Sequence, residues 1–203
     1  SPVVPHADPA YYARWIAPGR RLPEGHVLAV GVLFFPAGEL ANIPPWQREI
    51  DAVLRHHGLA PLGWRQVPVD DSVLGRHAHA SRRDVWQVLV GEGMVARGEL
   101  AQVMYRAKAQ LERQIRDLYV ASFAPGTLVY KALCTGEQLR RYYPDLVDPA
   151  LRADVVVFHR RYSTNTFSNW YLAQTFRTLG HNGEVNTIKA NRNAVQNLEA
   201  ELG

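Results

Sequence analysis

Apolar positions fall into two rhythms along the chain, and their alternation lays out the expected elements. Residues 26–36, HVLAVGVLFFP, are nearly all apolar and rich in branched and aromatic side chains, the mark of a strand buried on both faces and ended by Pro36. From Pro44 to His57 the spacing changes: Trp46, Ile50, Val53 and Leu54 recur at helical intervals, and Gly58 follows as a stop. Strands are expected again over 60–69 and 82–91. The longest helix is expected over 98–117, where Leu100, Val103, Met104, Ala107, Leu111 and Ile115 share one face. Residues 27–115 thus read as strand, helix, strand, strand, helix, most of a split β-α-β unit.

Flanking segments are shorter. Residues 9–16, PAYYARWI, predict a short helix with a proline in its first turn and Tyr11, Tyr12 and Trp15 turned inward. LYVASF and TLVYKAL predict a hairpin, because Pro125 followed by Gly126 is the order a type II turn favours. A helix is expected over 135–144. The run 155–158, VVVF, predicts a buried strand that gives way to the polar stretch HRRYSTNT. No internal repeat or low-complexity segment interrupts the pattern.

Composition narrows the class. With 203 residues, 47% of them hydrophobic, the chain can bury a sizeable core. The net charge of +4 is spread over isolated arginine pairs, too sparse for a phosphate-tracking stripe, so a nucleic-acid partner is not expected. No apolar stretch approaches the roughly 18 residues needed to cross a bilayer, and no signal peptide is recognisable, so no membrane partner and a cytoplasmic location are expected. The single cysteine, Cys134, excludes an internal disulfide and any metal site built from several cysteines of this chain.

Three places carry candidate chemistry. Arg160 and Arg161 follow the 155–158 run and would point to opposite faces if it continues as a strand. One guanidinium can then clamp a carboxylate, although an ordinary surface ion pair is the simpler reading. In TLGHNGEVNT, Asn182 and Gly183 form a common hairpin sequence; they also set a side-chain amide and an unobstructed backbone N–H together, two donors suited to a developing oxyanion. Cys134 has no adjacent base and reads as an inert thiol. His77 and His79 offer a metal at most two ligands.

FHRRYSTNTFSNWYLAQTFRTLGHNGEVNTIKANRN, 158–193, together with GWRQVPVD, 63–70, and LVYKALCTGEQLRRYYPDL, 128–146, resembles the glutamine amidotransferase domain of the glutamate synthase large subunit. That is a class II, N-terminal-nucleophile enzyme. The resemblance covers nearly the whole of 1–203. It implies an α+β fold, a four-layer αββα sandwich of the N-terminal-nucleophile hydrolase kind, with residues 27–115 as an inserted ferredoxin-like module. It implies glutamine as substrate and hydrolysis to glutamate and ammonia, the ammonia passing to 2-oxoglutarate at a site in the remaining domains. Arg161 would hold the substrate α-carboxylate, and Asn182 and Gly183 would form the oxyanion hole.

No cofactor is implied for this chain; flavin and an iron–sulfur cluster are expected only in other domains. The family's nucleophile is an amino-terminal cysteine in a Cys-Gly start, and Ser1 does not align with it, so the nucleophile is expected outside this chain and the isolated chain is expected to be inactive. The resemblance also leads us to expect the family's later Ser-Asp segment beyond Gly203. Arg160, Ser168, Thr175 and Ala190 depart from residues common at those positions. The alternative from another class is a non-catalytic amino-acid-binding or regulatory module that keeps Arg161 and the turn. A third reading is an interaction domain that uses the 27–115 module as its contact surface.

Overall fold

A computed structural model describes residues 8–158, 169–170, 189, 192–193 and 195–197. Its centre is a four-stranded antiparallel sheet built from β1 (Leu28–Pro36), β2 (Ala60–Gln66), β3 (Arg83–Gly91) and β4 (Tyr119–Ala124), in the spatial order β2-β3-β1-β4. Helix α2 (Ile43–His56) joins β1 to β2, and α4 (Leu100–Gln114) joins β3 to β4. Three shorter helices complete the set of named ones: α1 (Pro9–Tyr12), α3 (Arg76–Ala80) and α5 (Gly136–Tyr142).

The sheet has two apolar faces because β1 is central and its side chains alternate. Ala29, Leu33 and Phe35 face α2 and α4, where they meet Ile50, Leu54, Met104, Ala107 and Leu111. Leu28, Val30, Val32 and Phe34 face the other way. Each such side chain, once fully buried, is worth roughly 1.5–3 kcal/mol relative to exposure. The two helices therefore cover only half of what the sheet must hide.

The opposite face is closed by chain from both flanks. Tyr11, Tyr12 and Trp15, from α1 and the 3-10 turn after it, pack on Leu28, Val30, Leu62 and Leu89. Beside them, Leu128, Tyr130, Leu133, Tyr142, Tyr143 and Trp170 cover Val32, Phe34, Val67 and Val85. Helix α5 is held at its start by a reciprocal cap between Thr135 and Gln138, which satisfies two otherwise orphaned backbone donors.

Most expected elements form, with shifted ends. Proline in the first turn starts α2, and Gly58, at φ 77°, follows its end. The 98–117 helix stops at Gln114; Ile115 turns extended, and Asp117 takes a positive φ of 64° so that Leu118 can enter the core. Two expectations fail. After the turn at Pro125 and Gly126 (φ 71°), the chain makes a single bridge, Ala124 to Thr127, and residues 128–133 form no strand. Instead the Val129 N–H donates to the Ser122 hydroxyl, and Leu128 and Tyr130 cross the sheet face. Burial there outweighs continued pairing at the β4 edge.

The second failure is the run Val155–Phe158, expected as a buried strand. All four side chains are between 74% and 80% exposed, and none of these residues is in a strand. An apolar run becomes a strand only where a neighbour accepts its ladder, and none of the described strands pairs with it.

Candidate functional site

The face of the sheet away from α2 and α4 has a polar centre. Arg65 and Gln87 are register partners on β2 and β3, and both point to that face. Arg65 Nη1 donates to Gln87 Oε1 at 2.9 Å, and Arg65 Nη2 donates to Asp145 Oδ1. The Tyr130 hydroxyl donates to Asp145 Oδ2 at 2.6 Å and accepts from Gln87 Nε2 at 3.3 Å. The four side chains form a closed ring of hydrogen bonds, and the ion pair in it is almost wholly buried. The Arg65 guanidinium also lies 4.1 Å from the centre of the Trp15 ring, a cation–π contact that ties the ring to the α1 flank.

Burial works against the Arg65 charge, but the hydrogen bond and charge of Asp145 outweigh it, and the guanidinium pKa is raised above its ordinary value. Tyr130 is raised as well, first by burial and then by its bond to Asp145. With both oxygens of Asp145 occupied and its charge matched, the ring supplies neither a base nor a nucleophile. Its chemistry is positioning.

What it positions is visible in the chain. Arg65 belongs to GWRQVPVD, whereas Tyr130 and Asp145 belong to LVYKALCTGEQLRRYYPDL. Two further bonds join the same region: the Asp70 N–H donates to the Tyr142 carbonyl at 2.9 Å, and Gln138 Nε2 donates to the Val73 carbonyl at 2.7 Å. Trp170, inside the 158–193 block, is buried against Phe34 and Tyr142 with ring centres 6.1 and 6.0 Å away. Segments far apart in sequence thus share one sheet face.

Two other groups on this side are chemically distinct. Lys131 is buried with its ammonium 3.8 Å from the centre of the Tyr119 ring and 5.8 Å from that of Phe34. Burial, with a smaller contribution from the charge of Lys108, lowers its pKa to about 7. Cys134 is half-buried, and burial pushes its thiol above the ordinary value, away from the thiolate a nucleophile needs.

Of the residues singled out from sequence, Arg161, Asn182 and Gly183 lie outside the described residues. His77 and His79 sit on α3, where an i, i+2 pair points in different directions, and His79 turns to Asp71 at 3.3 Å. Among the described residues no group of three or more His, Cys, Asp or Glu is placed to hold a metal ion, and no helix is long and apolar enough to cross a membrane. Sequence reasoning missed the Arg65–Asp145 pair. The one available signal was that a lone arginine and a lone aspartate stood inside two of the segments that carry the resemblance.

The family profile described as glutamine amidotransferases class-II matches residues 4–203, and the chain belongs to that family. It is similar to the glutamate synthase (NADPH) large chain of Azospirillum brasilense, 36% identical over 190 residues that cover 91% of this chain and 12% of the relative. The ferredoxin-dependent glutamate synthase 2 of Synechocystis is 39% identical over 188 residues, covering 89% of this chain and 12% of the relative. The large chain of Bacillus subtilis glutamate synthase (NADPH) is 36% identical over 187 residues, with the same two shares. The chain therefore spans about an eighth of the length of these relatives. The mixed helices and antiparallel sheet are compatible with the N-terminal-nucleophile hydrolase fold that this family implies.

Proposed function

We propose that the chain is the glutamine-hydrolysing part of a glutamate synthase. The match to class-II glutamine amidotransferases over 4–203, with identities of 36–39% to glutamate synthases, is the observation that carries this reading. In the reaction a thiol attacks the side-chain amide carbon of glutamine, its proton passes to the amide nitrogen, which leaves as ammonia, and water then hydrolyses the thioester, releasing glutamate and restoring the thiol. Ammonia is then added to 2-oxoglutarate by other domains, which also hold the flavin and iron–sulfur chemistry of the enzyme.

Within this chain, Arg161 pairs with the α-carboxylate of glutamine through its planar fork. The Asn182 amide and the Gly183 N–H donate to the oxygen on which charge develops when the carbonyl carbon becomes tetrahedral. The resemblance of 158–193 to the family block supports these roles. The fold we propose is the four-layer αββα sandwich, with 27–115, whose three strands lie with β4 in one sheet, as an inserted α+β module. Cys134 takes no part.

Glutaminase kinetics on the complete polypeptide carrying Asn182→Ala test the reading. A fall in kcat of about 10²–10³ is expected for a lost oxyanion donor. A kcat within a few-fold of the parent leaves the turn as a hairpin only, whereas absence of glutaminase turnover in the parent polypeptide itself favours a non-catalytic amino-acid-binding module. Cys134→Ala is the control and leaves turnover unchanged.

A further inference from the structure

Three arginines gather at the free side of β2, on the margin between the sheet and α2. Arg20 and Arg21 come from the loop that follows α1, and Arg55 from the last turn of α2. Together with Gly58, Pro61 and Met94 they line an open groove of about 460 Å³, and among the described residues no carboxylate lines it.

Two of the arginines, Arg20 and Arg55, are held in place. Arg20 Nη1 donates to the Pro61 carbonyl at 2.8 Å and lies 3.5 Å from Asp51 Oδ2. Arg55 Nη2 meets the same oxygen at 3.1 Å. The other oxygen of this buried carboxylate accepts from the Trp64 indole at 3.0 Å. Asp51 is thus fully engaged and offsets one positive charge of the three. Arg21 is exposed and has no hydrogen-bond or ion-pair partner among the described residues. The groove carries an excess of two positive charges, and Arg20 and Arg55 use only one nitrogen each in their contacts with the protein.

We infer that this groove is a binding site for a phosphoryl dianion, either free phosphate or the phosphate of a small phosphomonoester. The excess charge matches a dianion. A carboxylate presents two oxygens in one plane and is satisfied by one guanidinium fork, whereas a tetrahedral phosphoryl group presents oxygens in several directions to donors from three. Sharing Asp51 keeps two of the guanidiniums together before any ligand arrives, which lowers the ordering cost of binding. The site lies apart from the Arg65–Asp145 ring and does not depend on the glutaminase reading.

Titration calorimetry on the full chain, at matched ionic strength, tests it with inorganic phosphate, adenosine monophosphate and succinate. Saturable binding of phosphate is expected, weakened about tenfold by Arg21→Gln and again by Arg55→Gln. Arg21→Gln removes no hydrogen bond or ion pair to a described residue, and an unchanged urea midpoint for the variant separates lost binding from a folding defect. Arg55→Lys also weakens binding, because it keeps the charge and loses the fork. Tighter binding of the monophosphate than of phosphate assigns a phosphomonoester; equal or weaker binding assigns free phosphate. Absence of saturable phosphate binding, no effect of either glutamine variant, or succinate binding as tightly as phosphate overturns the inference.

Discussion

Arg65 and Asp145 stand 80 positions apart and close a buried ion pair across the sheet face away from α2 and α4. The pair fastens the chain that follows the Pro125–Gly126 turn to the strand pair β2–β3, and its ring of partners leaves neither charge free.

Because the pair is buried, losing one partner costs more than losing both. Asp145→Asn strands the Arg65 charge in a low-dielectric setting and is expected to cost about 3–5 kcal/mol. The double variant Arg65→Met with Asp145→Leu is expected to lie within about 2 kcal/mol of the parent, since neither charge then needs a partner. Urea unfolding of the single and double variants checks both values. Equal losses in the two would mean that the ring contributes by packing and not by charge compensation.

Gly63 holds the segment after α1 against the β2 edge. A Cβ at this position would lie 2.0 Å from the Trp15 carbonyl oxygen. Gly63→Ala is therefore expected to push residues 15–17 outward, break the 2.9 Å bond from the Ala17 N–H to the Leu62 carbonyl, and cost about 1–3 kcal/mol. Hydrogen exchange at the Ala17 amide reads the displacement directly and should quicken in the variant.

Lys131 makes stability depend on pH. Its folded-state pKa of about 7 lies below the ordinary 10.5, so between these values the unfolded chain holds a proton that the folded protein does not. Stability from this group therefore rises with pH across that window, and below it the full cost of the buried charge is present. Lys131→Met is expected to be the more stable protein at pH 6, by about 1 kcal/mol or more, with its advantage shrinking steadily toward pH 10. Denaturant midpoints at pH 6, 8 and 10 check the trend, and a difference that stays constant with pH would refute it.

In the complete polypeptide, Arg161→Ala and Asn182→Ala should fail in different ways. A carboxylate clamp acts in the ground and transition states alike, so Arg161→Ala is expected to raise KM for glutamine and leave kcat within a few-fold. Steady-state kinetics beside Asn182→Ala resolve the two. A kcat loss without a change in KM for Arg161→Ala would place that guanidinium at the reacting carbon instead.

Local chemistry was enough to read the order of the long strands and helices from Leu28 to Gln114, but not the five-residue helix α3 (Arg76–Ala80) between β2 and β3. The unbroken apolar run of β1 demanded burial on both sides, and the 3.6-residue spacing of Leu100, Met104, Ala107 and Leu111 left only one face for α4 to hide. The family was legible too, from blocks of residues whose identities, and not only their polarity, were matched. The positions of Arg161, Asn182 and Gly183 in that match came from sequence alone.

Tertiary structure decided what depends on neighbours distant in the chain. Residues 128–133 have the composition of a strand, but the uncovered face of the sheet offered more burial than the β4 edge offered pairing. Val155–Phe158 have the composition of a buried strand and lie exposed, because apolarity creates a need for a partner without supplying one. Arg65 could be recognised as an arginine in a strand, yet only the register with Gln87 and the return of Asp145 from 80 positions away made it the anchor of a polar core. Periodicity is a local property, whereas a buried charge is tolerated only where the folded chain brings its counter-charge.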